Sequence, residues 1–216
     1  MINKISLDPA SLKLLKEGKL LPLMEEFYTI QGEGQHSGKP AYFVRVGGCD
    51  VGCYWCDVKE SWNAKLHPPT LVDNIIENII QIPSKAVVVT GGEPMNYNFN
   101  YFCSQLIKNN ITCFLETSGS SKFSGQWDWI CLSPKRNKAP LPEYFKIANE
   151  LKVIISKPED FLWAEQNANL VEETCILFLQ PEWSKAKEMM QTIVDYVLNN
   201  PKWKISIQSH KYMHIP

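Results

Sequence analysis

Residues 85–119 read KAVVVTGGEPMNYNFNYFCSQLIKNNITCFLETSG and contain two apolar runs separated by an amphipathic stretch. The runs at 85–92 and 111–119 are predicted strands, and the stretch at 97–110 is a predicted helix. A strand, a helix and a strand in this order pair in parallel through a right-handed crossover. This segment therefore predicts an α/β fold.

The same alternation continues on both sides of this segment. Further strands are predicted at 40–48, 128–135, 149–155 and 174–181, and further helices at 71–82, 158–168 and 182–199. About six parallel strands with helices between them indicate an incomplete (partial TIM-like) parallel β/α barrel. Helical signal is weak between the strands at 111–119 and 128–135. We expect a single domain over residues 1–216, in which residues 1–22 form an N-terminal extension with a helix at ASLKLLKEG.

The composition limits the classes of function. A length of 216 residues suits one hydrophobic core. The formal net charge of -1 and the lack of runs of like charge argue against binding to nucleic acid through phosphate neutralisation. No stretch approaches the roughly 18 apolar residues of a membrane span. We therefore expect a cytoplasmic protein with a small-molecule substrate and with no nucleic-acid or membrane partner.

The seven cysteines fall into two groups. Four lie in apolar contexts and are expected to be buried, reduced thiols: Cys103, Cys113, Cys131 and Cys175. The other three share the loop GGCDVGCYWCD (47–57), at the end of the predicted strand 40–48, and are Cys49, Cys53 and Cys56. Three thiolates on one loop can bind a metal centre while leaving one coordination position open.

Two kinds of metal centre remain open from these residues alone. An iron–sulfur cluster needs only the three thiolates and keeps one iron free for a ligand, and the three glycines of the loop would let the backbone approach it. The second Cys-x2-Cys pair of a zinc ribbon is absent from the sequence. Zinc would need a fourth ligand, for which the candidates are Asp57, His36, His67, His210 and His214.

The Cys-x3-Cys-x2-Cys spacing, with Trp55 before the last cysteine, resembles the cluster loop of the radical S-adenosylmethionine (SAM) superfamily. A second element, TGGEP (90–94), resembles the superfamily's turn that binds the methionyl amino group. Its two glycines would expose carbonyls to an ammonium, and Glu93 would add a carboxylate nearby. The resemblance implies a [4Fe-4S] cluster on the three cysteines and SAM as cofactor. The cofactor-binding residues it implies are Trp55, Cys56, Asp57, Gly92, Glu93, Ser133, Pro134, Lys135, Gln180, Pro181, Glu182 and Trp183.

Segments spread over residues 25–216 resemble the 7-carboxy-7-deazaguanine synthases of queuosine biosynthesis. They are YTIQGEGQ (28–35), Arg45, ETSG (116–119), SPK (133–135), ELKV (150–153), QP (180–181), HK (210–211) and the terminal IP (215–216). The resemblance implies a lyase that converts 6-carboxy-5,6,7,8-tetrahydropterin to 7-carboxy-7-deazaguanine by radical ring contraction with loss of ammonia. It assigns no catalytic side chain, because the radical is generated at the cluster.

The resemblance also implies a set of substrate-binding residues. Paired donors and acceptors would suit the edge of a pterin, and an arginine fork would suit its carboxylate. Taken singly, Gln31 and Glu33 would equally suit a solvated turn, and Arg45 a surface ion pair. In the family the carboxylate of a C-terminal proline reaches the active site. The implied residues are Ile30, Gln31, Gly32, Glu33, Arg45, Thr90, His210 and Pro216.

Magnesium is a further implied cofactor, expected beside the substrate carboxylate in the region of Asp57 and Val58. The family usually has a hydroxyl residue at the second position, and Val58 offers no side-chain oxygen. We therefore expect reduced or altered magnesium dependence. An electron donor such as flavodoxin or ferredoxin and a homodimeric state are also expected from the resemblance.

Two other classes of function share part of this pattern. A radical SAM activase that generates a glycyl radical on a protein partner would carry the same cysteine loop and glycine-rich turn. It would not need the QGEG segment (31–34) or the C-terminal ending. A non-catalytic iron–sulfur or zinc module would need only the cysteines, and it would leave residues 91–93 unexplained.

Overall fold

The computed structural model describes residues 7–216, and the strands in this range form one nine-stranded sheet. The strands are β1 (Leu20–Ile30), β2 (Pro40–Val46), β3 (Pro69–Leu71), β4 (Ala86–Gly91), β5 (Thr112–Thr117), β6 (Trp129–Leu132), β7 (Glu150–Ile155), β8 (Ile176–Pro181) and β9 (Trp203–Ile205). Their order across the sheet is β3-β1-β2-β4-β5-β6-β7-β8-β9. Because β3 and β9 are not neighbours in this order, the sheet is an open, incomplete barrel.

The six predicted strands form the central part of the sheet, where β2, β4, β5, β6, β7 and β8 run parallel. This confirms the α/β fold with an incomplete parallel barrel. The sequence pattern missed β9, which is parallel to β8, and the antiparallel strands β1 and β3. β3 and β9 have three residues each, too few to show a period of two. In β1, Pro22 and the pair Glu25 and Glu26 interrupt the alternation of apolar and polar residues.

Seven α-helices occur within the described range: α1 (Pro9–Lys16), α2 (Val72–Ile80), α3 (Asn100–Lys108), α4 (Pro142–Ile147), α5 (Asp160–Ala168), α6 (Ala186–Asn199) and α7 (Ser209–Met213). The four helices predicted after residue 70 are confirmed, and α4 and α7 are additional. As expected, no helix connects β5 and β6. No helix among the described residues is both long and apolar enough to cross a bilayer.

The N-terminal extension contains the expected helix but ends earlier than residue 22. Helix α1 begins after Asp8, whose Oδ1 accepts a hydrogen bond from the backbone N–H of Ala10 at 2.9 Å. Strand β1 already begins at Leu20, so the last residues of the expected extension belong to the sheet. The part of this prediction that concerns residues 1–6 lies outside the described residues.

The packing of α2 shows how the apolar pattern builds the core. Its residues Val72, Ile75, Ile76 and Ile79 recur at helical spacing, and all four are buried in the cluster that covers the sheet. Burying a side chain of this size stabilises the fold by roughly 1.5–3 kcal/mol. The four cysteines predicted to be buried, reduced thiols are buried and unbonded: Cys103, Cys113, Cys131 and Cys175.

Parallel pairing places the ends of the central strands at one edge of the sheet. Arg45 near the end of β2 is paired with Thr90 of β4, and Ile155 at the end of β7 is paired with Pro181 of β8. The loops that leave these strand ends therefore converge. The cysteine loop and the glycine-rich turn are two of them.

Candidate active site

A cavity of about 430 Å³ lies at this edge of the sheet. Every site residue predicted from the sequence lines it except Pro134, which is buried beside it. The loops after β2, β4, β5, β6 and β8, strand β7 and the C-terminal segment all contribute to its wall. Residues separated by more than 100 positions in sequence thus share one pocket of a size that suits a small-molecule ligand.

The cysteine loop holds Cys49, Cys53 and Cys56 at the wall of this cavity, and all three thiols are partly exposed. The backbone N–H of Cys49 donates to the carbonyl of Trp62 at 3.1 Å, which fixes the start of the loop. Burial raises the pKa of the Cys49 thiol to about 11, and the N–H groups directed at its sulfur from the following residues act in the opposite direction. Such N–H groups stabilise a thiolate that ligates a cluster.

The donor set of this loop fits a cluster better than a single metal ion. Among residues 7–216, no three His, Cys, Asp or Glu side chains converge where one ion could bind. The thiolates of a cubane cluster bind separate irons and need not converge. His67, one of the possible zinc ligands, is buried against Gly47, and its Nε2 lies 2.8 Å from the carbonyl oxygen of Glu60. This arrangement uses His67 to support the loop.

The glycine-rich turn after β4 packs directly on the cysteine loop. The N–H of Gly92 donates to the carbonyl of Val46 at 2.8 Å, and the N–H of Glu93 donates to the carbonyl of Gly48 at 2.9 Å. A Cβ atom at Gly92 would overlap the backbone of Gly48. Glycine is therefore required at position 92 by close backbone approach, and the two loops form adjoining walls of the cavity.

Glu93 is buried, and both oxygens of its carboxylate accept hydrogen bonds from groups of the protein. Oε1 accepts hydrogen bonds from the N–H of Met95 and the hydroxyl of Thr117, and Oε2 accepts from the N–H and hydroxyl of Ser118. The side chain therefore ties the turn after β4 to the end of β5. Contact between this carboxylate and a methionyl ammonium remains a prediction.

A buried ionic network forms the floor of the cavity. Lys152 on β7 forms an ion pair with Glu33, and its Nζ lies 3.6 Å from Oε2 of Glu116. Gln208 donates to Oε1 of Glu33, and Gln31 donates to Oε1 of Glu116, each at 2.9 Å. Burial opposes the ionisation of Glu33, but the charge and hydrogen bond of Lys152 outweigh it and lower the Glu33 pKa to about 2. Both carboxylates thus face the cavity as hydrogen-bond acceptors.

Arg45 lines the cavity and also forms an ion pair. Its Nε lies 2.7 Å from Oε1 of Glu25, and its guanidinium lies 5.8 Å from the ring centre of Phe27. Arg45 therefore forms the ion pair that its sequence context also suited, and it lies where it could contact a ligand in the cavity. Since the ion pair uses Nε, the terminal nitrogens are the part of the guanidinium that can bind a ligand.

A segment after β6 braces the other side of the cysteine loop. Lys138 forms an ion pair with Asp50 at 2.9 Å, and the side-chain amide of Asn137 donates to the carbonyl of Gly52 at 2.8 Å. Lys135 donates to the carbonyl of Ser133 at 2.7 Å and lies 5.7 Å from the ring centre of Trp55. The predicted cofactor residues of β6 and of the cysteine loop are therefore in contact.

Comparison with known proteins agrees with these features. A profile of the Radical SAM superfamily matches residues 43–130. A 7-carboxy-7-deazaguanine synthase of Flavobacterium psychrophilum is 57% identical over 202 residues, which cover 94% of this chain and 96% of that protein. This chain belongs to the 7-carboxy-7-deazaguanine synthase family. A second relative of that name, from Synechocystis, is 42% identical over 90% of this chain and 93% of its own length.

A solved member of the family has the same fold. The crystal structure of QueE from Escherichia coli superposes with a TM-score of 0.78 at 28% identity, covering 94% of this chain and 99% of that one. Membership of the radical SAM superfamily implies a [4Fe-4S] cluster and SAM, and the three thiols beside the glycine-rich turn fit this pair.

Magnesium fits the described residues poorly. Asp57 lies in the region where the resemblance places the ion, and its Oδ2 is bound by Lys211 at 2.7 Å and by Gln208 at 3.3 Å. Val58 also lines the cavity, and its side chain carries no oxygen. No set of three acidic, histidine or cysteine side chains in the described range could hold the ion. The weakened magnesium requirement expected from the sequence remains a prediction.

Four charged or amide-bearing residues of the cavity had no role assigned from the sequence. They are Glu116, Lys152, Gln208 and Lys211, and all line the cavity. The first two lie in the family segments ETSG and ELKV, where a charged residue within a buried apolar strand is the available signal. Gln208 and Lys211 flank His210 on or beside α7, a helix too short for its pattern to be detected.

Proposed function

We propose that this protein converts 6-carboxy-5,6,7,8-tetrahydropterin to 7-carboxy-7-deazaguanine with loss of ammonia, by radical ring contraction in the synthesis of queuosine and related 7-deazapurines. The observation that carries this proposal is the meeting of three elements at one cavity. They are the cysteine loop, the glycine-rich turn and the floor network of Glu33, Lys152 and Glu116. When bound, the cluster and SAM supply the radical that removes a hydrogen atom from the substrate.

The floor network would bind the pterin edge. A pterin presents alternating donors and acceptors, which match ionised carboxylates and amides. Glu33 is held ionised between Lys152 and Gln208, and Glu116 accepts only a side-chain amide and a more distant ammonium. We therefore assign the donor groups of the pterin ring to Glu116, with Glu33 as a second acceptor.

Other predicted residues would orient the substrate at its edges. Thr90 lies beside Arg45 in the sheet register, and both face the cavity. His210 packs against Gly32 so closely that a Cβ atom at position 32 would overlap its ring. Burial lowers the pKa of His210, so its imidazole is poised to be neutral near neutral pH and to donate one hydrogen bond.

Several partners and properties belong to the same proposal. The chain would act as one radical SAM domain over residues 1–216, in a cytoplasmic homodimer, with flavodoxin or ferredoxin as the electron donor. Exposed aromatic residues near the cavity mouth, Tyr54 and Trp183, offer a contact surface for such a donor. Light scattering of the purified chain tests the dimer, because a monomer at micromolar concentration would contradict it.

Anaerobic reconstitution tests the proposed function. The protein should bind four irons per chain, show the electron paramagnetic resonance signal of a reduced [4Fe-4S] cluster, and release 5′-deoxyadenosine and 7-carboxy-7-deazaguanine when carboxytetrahydropterin, SAM and reductant are present. Cys53→Ala should abolish the signal and both products. Cys175→Ala, which changes a buried thiol outside the cavity, should retain them.

Two results would contradict the assignment. Failure of the wild-type chain to bind a cluster under these conditions would exclude radical chemistry. Formation of deoxyadenosine that requires a protein partner, with the pterin left unchanged, would support the glycyl-radical activase.

A further inference from the structure

The contact between Asp57 and Lys211 places a fixed positive charge where the cavity wall is acidic. Nζ of Lys211 lies 2.7 Å from Oδ2 of Asp57, and Lys211 is about 20% exposed. Both residues line the cavity. They form an ion pair that is partly shielded from solvent and open to the cavity.

Two further contacts hold Lys211 in this position. Its backbone N–H donates to the carbonyl of Gln208 at 3.1 Å in α7. Its ammonium lies 4.7 Å from the ring centre of Trp183, at a distance suited to a cation–π contact. An ammonium has three N–H donors, and the bond to Asp57 uses one of them. Lys211 can therefore bind a second anion without leaving Asp57.

The other two lysines of the cavity are more fully engaged. Lys152 lies between Glu33 and Glu116 at the floor, and Lys135 donates twice to Ser133 on the cofactor side. Arg45 is bound through Nε to Glu25 of β1, and its terminal nitrogens are directed by β2 and not by the cysteine loop. Lys211 is the cation that lies next to Val58 and Asp57, where family resemblance places the metal.

We propose that the ammonium of Lys211 acts as the fixed cation of this pocket and binds the substrate carboxylate beside Asp57, in the role that a divalent metal ion would otherwise fill. The inference rests on the proposed function, because the carboxylate belongs to that substrate. Its physical basis is the geometry: an ammonium already binds Oδ2 of Asp57, and the side chain of Val58 provides no oxygen. Magnesium would have to share Asp57 with this ammonium.

Manganese binding provides a test that does not depend on turnover. Mn²⁺ would be added to anaerobically reconstituted protein with an oxidised cluster, and unbound Mn²⁺ measured by electron paramagnetic resonance. The wild type and Val58→Thr should bind no Mn²⁺ at this site, because Lys211 still neutralises Asp57. The double variant Val58→Thr/Lys211→Met should bind one ion per chain, because it has a free carboxylate and a hydroxyl.

Turnover provides the second measurement. Chelation of divalent ions should leave the wild-type rate unchanged. Lys211→Met should raise the KM for carboxytetrahydropterin roughly 10- to 100-fold, since it removes a charge-assisted hydrogen bond. Lys211→Arg keeps the charge and should retain independence from added metal.

Specific results would overturn the proposal. They are stoichiometric Mn²⁺ binding by the wild type, loss of wild-type turnover after chelation, or absence of Mn²⁺ binding by the double variant. If Lys211→Met does not fold, the wild type still shows whether Mn²⁺ binds and whether turnover needs a divalent ion. Val58→Thr then shows whether an added hydroxyl alone creates the metal site. A wild-type chain that makes no 7-carboxy-7-deazaguanine with or without metal would contradict the proposed function, while the Mn²⁺ measurements would still report on Lys211.

Discussion

At the scale of single residues, Glu93 shows how a conspicuous motif residue can stabilise the site from within. Its two carboxylate oxygens accept four hydrogen bonds, from Met95, Thr117 and Ser118. Glu93→Gln would replace one acceptor oxygen with an NH2 group that faces these donors. A buried polar group left unsatisfied costs about 1–3 kcal/mol.

We expect Glu93→Gln to lower the free energy of unfolding by about 1–3 kcal/mol, measured by urea denaturation of the cluster-free protein. Glu77→Gln is the matched control, because Glu77 is exposed on α2 and should change stability by less than about 0.5 kcal/mol. Equal stability of the two variants would show that the Glu93 contacts are energetically neutral.

Glu33 gives a pH dependence with a defined direction. Its pKa is lowered from 4.5 to about 2 in the folded protein, against the effect of burial, by the charge and hydrogen bond of Lys152. A lowered folded-state pKa contributes stability at pH values above 4.5, and this contribution is lost as the pH falls from 4.5 towards 2. Glu33→Gln should therefore flatten the loss of stability in this pH interval.

The measurement is urea denaturation at a series of pH values across that interval, for the wild type and two variants. Glu172→Gln, which changes an exposed carboxylate, should keep the wild-type slope. A Glu33→Gln slope as steep as that of the wild type would mean that other carboxylates account for the acid sensitivity.

At the scale of elements, the loops after β2 and β4 are interlocked through backbone. Gly92 has no room for a Cβ atom because the backbone of Gly48 lies against it, whereas Gly38 has a φ of +87° and open space around it. Alanine at position 92 must push the two loops apart. Alanine at position 38 only strains its own backbone.

We expect Gly92→Ala to reduce both the iron content after reconstitution and the affinity for SAM, since it separates the two walls of the cofactor site. Gly38→Ala should cost about 1–2 kcal/mol of stability through its left-handed backbone and leave iron content unchanged. The comparison uses iron analysis and SAM titration of both variants. Full iron and normal SAM affinity in Gly92→Ala would contradict the proposed contact between the loops.

At the scale of the whole molecule, the C-terminal segment forms part of the cavity wall. After α7, His214 adopts a left-handed conformation with φ +54°, and the N–H of Ile215 donates to the carbonyl of His210 at 3.2 Å. This turn directs Pro216 to the cavity wall. The last residue of the chain thus lies among residues that precede it by about 160 positions or more in sequence, such as Asp57.

A tag fused to Pro216 would begin at the rim of the cavity, because Pro216 lines the cavity and is exposed. We expect a hexahistidine tag fused after Pro216 to lower kcat/KM roughly tenfold or more, since the added residues would crowd the cavity that Pro216 lines. The same tag at the N-terminus should leave kcat/KM unchanged. Equal kinetics of the two tagged proteins, with equal melting temperatures, would contradict a role for the terminus in the site.

The parallel core of the fold could be predicted from the sequence because buried strands and amphipathic helices leave local periodic signals. The six central strands and α2, α3, α5 and α6 carried such signals. Strand β1 did not, because Pro22 and the pair Glu25 and Glu26 interrupt its alternation, and its pairing with β2 and β3 holds it as a strand. Very short elements such as β9 and α7 exist only because neighbouring structure holds them.

The sequence by itself determined which residues are the candidates for the chemistry, since the cysteine spacing and the glycine-rich turn are local patterns that resemble those of one superfamily. Only the tertiary structure decided how those residues are used. Charges far apart in the chain pair when the sheet brings their strand ends together, which places Lys152 between Glu33 and Glu116 and an ammonium on Asp57. Such pairing depends on distances in the folded structure, which the local sequence pattern does not reveal.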